Sequence, residues 1–155
     1  METVPQILRV TTEDGPILLP LIENYWRFEN IAGFESRRIE AQLARLLSEP
    51  RLGCGWIAFS HDLAVGYLLA VYVFSLEHLG ITAEIDEFFV LPSHRGNKIG
   101  RALLSAAEAE FVRVGCTNVS LQLARGNDLA RAFYHRHGYS ERSAFDLLDK
   151  MLQHG

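Results

Sequence analysis

The stretch Glu84-Ile-Asp-Glu-Phe-Phe-Val-Leu-Pro-Ser-His-Arg-Gly-Asn-Lys-Ile-Gly100-Arg-Ala-Leu-Leu104 decides how the chain folds. Dense apolar and aromatic residues predict a strand over Ala83–Leu91, which stops at Pro92 because proline has no N–H to give a ladder. From Asn97 the spacing of Ile99, Leu103, Leu104, Ala107 and Phe111 predicts one face of a helix reaching Val114, closed by Gly115. Between strand and helix lies a loop carrying Arg95 and Gly96. Free N–H groups at a helix start, together with the helix dipole, make a seat for a phosphate or pyrophosphate. Gly96 and Gly100 let the backbone approach such an anion, and Arg95, Lys98 and Arg101 add positive charge. An ordinary loop-to-helix turn with solvated basic side chains has the same local signature. The spacing excludes a Walker loop, since no lysine follows Gly100. It also excludes a dinucleotide fingerprint, which needs three glycines early in a βαβ unit.

Upstream, Gln6–Thr12 alternates as a strand does, and Leu18, Leu21, Ile22, Tyr25 and Trp26 mark a helix over 17–28. A second amphipathic helix is expected over Ser36–Leu47. Cys54–Ser60 and Leu63–Ser75 read as two strands joined at His61-Asp62. Downstream, Asn118–Ala124 is expected to be a strand and Asp128–His137 a short helix, with a final strand running to about Leu152. The order β-α-α-β-β-β-α-β-α-β predicts an α/β fold, a mixed central sheet flanked by helices.

Charge is distributed unevenly. Seven basic residues (Arg95, Lys98, Arg101, Arg113, Arg125, Arg131, Arg136) and three acids (Glu108, Glu110, Asp128) give the span 95–136 a net +4. The rest of the chain carries eight basic against sixteen acidic residues, and the whole sums to −4. A basic module in an acidic protein points to an anionic ligand at that module. It lacks interleaved exposed aromatics, so no nucleic-acid partner is expected.

The 155 residues suit one domain, 1–155, and 48% hydrophobic with 22% charged residues excludes a disordered chain. The longest apolar run, Leu63 to Phe74, has 12 residues against the roughly 20 a membrane helix needs, so no membrane association is expected. Met1–Gln6 carries neither the basic nor the apolar part of a signal peptide, which makes a cytoplasmic setting the expectation. Cys54 and Cys116 are too few for a disulfide framework or a zinc site. His78, His94, His135 and His137 share no ligand spacing, so no metal is expected. Cys54 and Cys116 also have no neighbouring histidine or aspartate to activate a thiol.

A second stretch, Asn127-Asp-Leu-Ala-Arg-Ala-Phe-Tyr134-His-Arg-His-Gly138-Tyr139, comes about 30 residues after the first. Arg95-Gly-Asn-Lys-Ile-Gly100 on a strand–loop–helix, then Asn-x-x-Ala-x-x-Phe-Tyr-x-x-x-Gly-Tyr, resembles the GNAT N-acetyltransferase superfamily. The likeness is densest over Glu84–Tyr139, and the element order agrees with that family's fold along the whole chain. One position departs: the family's central loop glycine is Lys98 here. A non-glycine residue fits there if its backbone is helical with negative φ, so the site is expected to be kept, with tight contact at position 98 in question.

The resemblance implies acetyl-CoA as donor. The backbone of Arg95, Gly96, Asn97, Lys98, Ile99 and Gly100 would hold its pyrophosphate, with Arg95 and Arg101 supplying charge. The strand edge at Phe88–Leu91, including Phe89 and Val90, would pair with the pantetheine arm, and the amide near Val90 would stabilise the oxyanion. Asn127 would hold the pantetheine or the turn, and Arg131 would reach nucleotide phosphates.

An amine acceptor is protonated at neutral pH, so transfer needs a base, a polarised thioester and an acid for the thiolate. Tyr134 matches the family's acid position, with a packed aromatic beside Phe133 as the alternative reading. Glu84, Asp86 and Glu87 lie on the strand beside the thioester. Alternation sets Glu84 and Asp86 on one face and Glu87 on the other, with Glu87 the preferred base and Asp86 the runner-up. Trp26, Tyr25 and Phe28 line an acceptor pocket or pack the core. The expectation is direct transfer of acetyl to a primary amine of a small molecule or peptide. The alternative is an acyl-CoA-binding sensor without turnover. Members of the family often dimerise, which leaves a homodimer open.

Overall fold

The computed structural model describes residues 4–153; the opening residues 1–3, on which part of the signal-peptide reading falls, lie outside them. The chain divides into two compact units between Gln122 and Leu123. The first contains β1 (Gln6–Arg9), α1 (Gly15–Phe28), α2 (Ser36–Ser48), β2 (Gly53–Ser60), β3 (Leu63–Ser75), β4 (Gly80–Val90), α3 (Ile99–Arg113) and β5 (Val119–Leu121). The second contains α4 (Asp128–Arg136) followed by irregular chain.

The five strands form one mixed sheet in the order β1-β2-β3-β4-β5. Neighbours are antiparallel up to β4, and β5 runs parallel to β4. The expected elements are present to within a few residues, apart from the last. No strand forms over 139–153. Phe145, Leu147, Leu148, Met151 and Leu152 follow no period of two, and all are exposed.

Both faces of the sheet are covered. Tyr67, Leu69 and Phe89 meet Leu18, Leu21 and Ile22 of α1 and Leu43 of α2 on one side. On the other, Phe111 of α3 sets its ring edge-on to Trp56 and Tyr72, at 6.1 and 6.4 Å. The α1 end of the fold is fixed before the helix begins. Thr11 caps the preceding turn and exchanges hydrogen bonds with Asp14, and Pro16 then starts the helix with a φ already suited to it. At Gly53 the β2 backbone lies so near β3 that a Cβ would collide with the Ala70 carbonyl oxygen.

The β3–β4 ladder contains one irregularity. Leu69 pairs with Glu87 and Ala70 with Ile85, which leaves Asp86 as the extra residue of a bulge. Strict alternation therefore fails here. Glu84 pairs with Val71 and Glu87 with Leu69, so these two carboxylates share the α1 face instead of lying on opposite ones.

Candidate functional site

The free edge of β4 is built by that bulge together with the shortness of β5. β5 pairs with Ala83, Glu84 and Ile85 and ends there, just before Asp86. Leu91 N–H donates to Val65 O at 2.8 Å on β3. Alternation then turns the backbone groups of Val90 and Phe88 to the other edge, the one β5 has left. A side chain agrees with this direction, since Arg95 Nε donates to Val90 O at 2.9 Å. Phe89, expected at this edge, has its backbone turned to β3 and its side chain buried on the α1 face.

Beyond β4, a short turn over Pro92–His94 leads into the loop. Gly96 has φ +82° with open space where a Cβ would be. Lys98, at the N-cap of α3, has φ 62° and ψ 13°. The expected negative φ is therefore corrected: the residue that replaces the family's glycine occupies a left-handed conformation that glycine favours, at a strain of about 1–2 kcal/mol. No side chain caps the helix start. The first backbone N–H to find a carbonyl is that of Ala102, on Lys98 O at 3.0 Å, so those from Gly96 to Arg101 have no protein acceptor among the described residues. The loop also borders a cleft of about 580 Å³ lined by Gly96, Asn97, Lys98, Ile99, Arg101 and Ser105, with Val4 and Ser60. An array of unused N–H groups beside two basic side chains fits an anionic group such as a pyrophosphate.

Arg95 is engaged elsewhere. Besides holding Val90 O, its guanidinium lies over the rings of Phe28 and Phe89, at 4.7 and 5.4 Å. Contact between this side chain and a phosphate would require it to leave that position.

Glu87 is the most constrained carboxylate of β4. Its Oε1 accepts from the Tyr67 hydroxyl at 2.9 Å and its Oε2 from Trp26 Nε1 at 2.8 Å. Burial pushes its pKa above the usual carboxylate range, the two hydrogen bonds pull it down, and the charge of Asp86 adds to the rise. Asp86 is exposed, and its pKa is also raised, by partial desolvation and by Glu84. Glu84 accepts from the amide of Gln122 at 3.4 Å. Trp26 therefore holds this carboxylate and also packs in the core, setting its ring edge-on to Phe34 at 5.7 Å.

Tyr67 is the residue that sequence reasoning passes over. It stands in a run otherwise aliphatic or glycine, Leu63-Ala-Val-Gly-Tyr-Leu-Leu-Ala, and reads there as one more residue of a buried strand. The available signal is its hydroxyl, because a buried O–H needs a partner.

In the second unit, Asn127 caps α4: its Oδ1 accepts from Ala130 N at 3.1 Å, which holds the turn. Arg131 is paired with Glu141 at 2.8 Å, and the same carboxylate accepts from His135 Nε2. Those partners hold Glu141 down at about 2. Tyr134 packs between Phe133 and Tyr139, with ring centroids 5.4 and 5.5 Å away. His135 and His137 diverge as their spacing requires, His137 Nδ1 lying 2.9 Å from Phe133 O. Among the described residues no cluster of His, Cys, Asp or Glu gathers as a metal would need, and no helix is long and apolar enough to cross a membrane.

Known proteins resemble this chain in sequence or in fold. The aminoalkylphosphonate N-acetyltransferase of Salmonella typhimurium is 37% identical over 87 residues, 55% of this chain and 55% of its own length. An integron cassette protein from the mobile metagenome of Cole Harbour Salt Marsh superposes with a TM-score of 0.84 and 25% identity, over 97% of this chain and 92% of that one. The aminoglycoside N-acetyltransferase AAC(6')-Iy, solved in complex with CoA, shares the fold at a TM-score of 0.82 and 16% identity, over 96% of both chains. The profile of the acetyltransferase (GNAT) family matches residues 19–139. With β4 opened at its bulge and an uncapped α3 beside it, that match places the chain in the GNAT acetyltransferase family.

Proposed function

We propose that this protein is an acetyl-CoA-dependent N-acetyltransferase that moves the acetyl group directly to a primary amine of a small molecule or peptide. The observation that carries the reading is the stretch of β4 past Ile85 that β5 does not reach, next to the N–H groups of Gly96 to Arg101 that have no protein acceptor among the described residues. An extended, amide-bearing arm ending in a pyrophosphate needs a strand edge and an anion seat in that order along the chain. Acetyl-CoA, when bound, supplies the activated acyl group. The loop amides, with Lys98 and Arg101, hold its phosphates. Val90 N–H, on the open edge, donates to the thioester oxygen and stabilises the oxyanion as the amine attacks. Glu87 takes the ammonium proton, through a water, before attack. Tyr134 has the role of acid for the departing thiolate by its place in the motif.

An amine acceptor is supported by the aminoalkylphosphonate acetyltransferase relative and by the carboxylates of β4, whose hydrogen-bond donors are neutral groups. A cytoplasmic setting is part of the proposal, supported by Cys54 and Cys116 being free thiols.

Calorimetric titration with acetyl-CoA, followed by a panel of amines assayed for free CoA release, tests the proposal. Micromolar donor binding and turnover with at least one amine are expected. Absence of donor binding overturns it, and binding without turnover across a broad panel favours the sensor. Tyr134→Phe is expected to lower kcat at least tenfold with donor affinity unchanged; an unchanged kcat removes Tyr134 from the acid role.

A further inference from the structure

We infer that Tyr67 and Trp26 are positioning residues that fix the Glu87 carboxylate as an oriented anion on the α1 face of the sheet. The inference rests on the assignment of Glu87 as base, and goes beyond it by naming what holds that base. Tyr67 comes from β3 and Trp26 from α1, and each takes a different oxygen of the same carboxylate, at 2.9 and 2.8 Å. Two donors from two separate elements leave the group no freedom to rotate. A carboxylate has about four lone-pair sites, so two remain after these bonds for a water or an ammonium.

The chemistry of the donors matters as much as their placement. An arginine or lysine here would pair with the anion and quench its basicity. An indole N–H and a phenol O–H hold it without adding positive charge. Tyr67 cannot itself ionise in competition, because burial and the adjacent Glu87 charge push its pKa well above the ordinary tyrosine value. Other charged and titratable groups face the site from the elements around it. Asp86 and, through it, Glu84 add negative charge from β4. Tyr25 of α1 packs edge-on to the Tyr67 ring at 6.4 Å. Arg95, over Phe89 two residues along the strand, is held by Val90 O.

Burial raises the Glu87 pKa, and the two donors oppose that rise. Removing either is expected to raise the Glu87 pKa by about one pH unit, since a hydrogen bond to a charged group is among the stronger ones. Tyr67→Phe removes only the hydroxyl, and Trp26→Phe removes the indole N–H while keeping an aromatic ring at the position.

The test has two readouts. In free protein labelled with 13C at the glutamate carboxyl carbon, the Glu87 resonance is identified by its loss in Glu87→Gln and titrated in each variant. With acetyl-CoA and an amine found active in the panel, the acidic limb of kcat/KM is measured against pH. An upward shift of about one unit in the titration, matched by the limb, supports the inference. A merely structural role would lower Tm and leave both pH values unmoved; that result, in variants with an unchanged near-ultraviolet circular dichroism spectrum, overturns it. A shifted titration with turnover unaffected by Glu87→Gln supports the positioning and overturns the base assignment, which separates the two ideas.

Discussion

The hydroxyl of Tyr67 on β3 is hydrogen-bonded to Glu87 on β4 at 2.9 Å, diagonally across a ladder that sets Glu87 opposite Leu69. Tyr67 has no exposed surface, so this carboxylate satisfies a hydroxyl that water does not reach. Glu87→Ala is expected to destabilise the protein by about 2–3 kcal/mol, the cost of leaving a buried donor unsatisfied. Tyr67→Phe in the same chain should recover part of that loss. Urea denaturation of the two single variants and the double variant checks it; strictly additive losses would break the link between the residues.

Lys98 adopts φ 62° where glycine is at ease. Lys98→Gly relieves about 1–2 kcal/mol of strain and gives back about 0.5–1 kcal/mol to the entropy of the unfolded chain. A net gain in Tm of about 1–3 °C is expected. Lys98→Val, β-branched and poorly suited to this region, should lower Tm instead. Thermal melts giving the opposite order would contradict the backbone conformation at the start of α3.

Gly53 tolerates no side chain. A Cβ there would run into the Ala70 carbonyl oxygen, a backbone atom that moves only with β3 itself. Gly53→Ala should cost about 3 kcal/mol or more and be recovered mainly as insoluble protein. Gly126→Ala, with nothing within 4 Å of the added carbon, is the matched control and should express normally.

Glu110 gives the fold a dependence on acid. Hydrogen bonds from Arg113, and then Arg9, hold its carboxyl down at about 2, against 4.5 when unpaired. A depressed carboxylate stabilises the native state above its unfolded pKa, and the contribution disappears as pH falls from about 4.5 toward 2. Glu110→Gln should therefore lower Tm at pH 7 by about 2–4 °C, a modest figure because solvent screens the pair. The difference between parent and variant should shrink through that window. A difference that persists at pH 2 would assign the effect to packing.

The sequence makes some layers of this protein plain and conceals others. The strand–loop–helix from Ala83 to Val114 is legible because three independent signals coincide there: the density of the strand, the Pro92 stop and the helical spacing from Ile99. The family resemblance comes from the same stretch and agrees with the match over 19–139. Alternation misplaces the faces of Glu84 and Glu87 because it counts residues and has no means of detecting an extra one. The Lys98 φ escapes for a similar reason, since a residue's identity does not fix the torsion its neighbours impose. The strand expected after Gly138 does not form, because apolar content there lacks the period that would bury it. Tyr67 stays hidden because its role depends on a partner twenty positions away.

Removing Asp86 from β4 would leave every later side chain on its present face, because Ile85 and Glu87 already occupy successive rungs opposite Ala70 and Leu69. Asp86 thus acts as a spacer. It alters the line of the backbone without changing which residues meet α1 and which meet α3. A chain shortened by this one residue would keep its core and regain a straight β4, along which β5 could continue past Ile85 and zip shut the groove at Phe88 and Val90. The bulge residue is exposed, so the irregularity sits at the surface of the sheet and leaves the packed interior untouched.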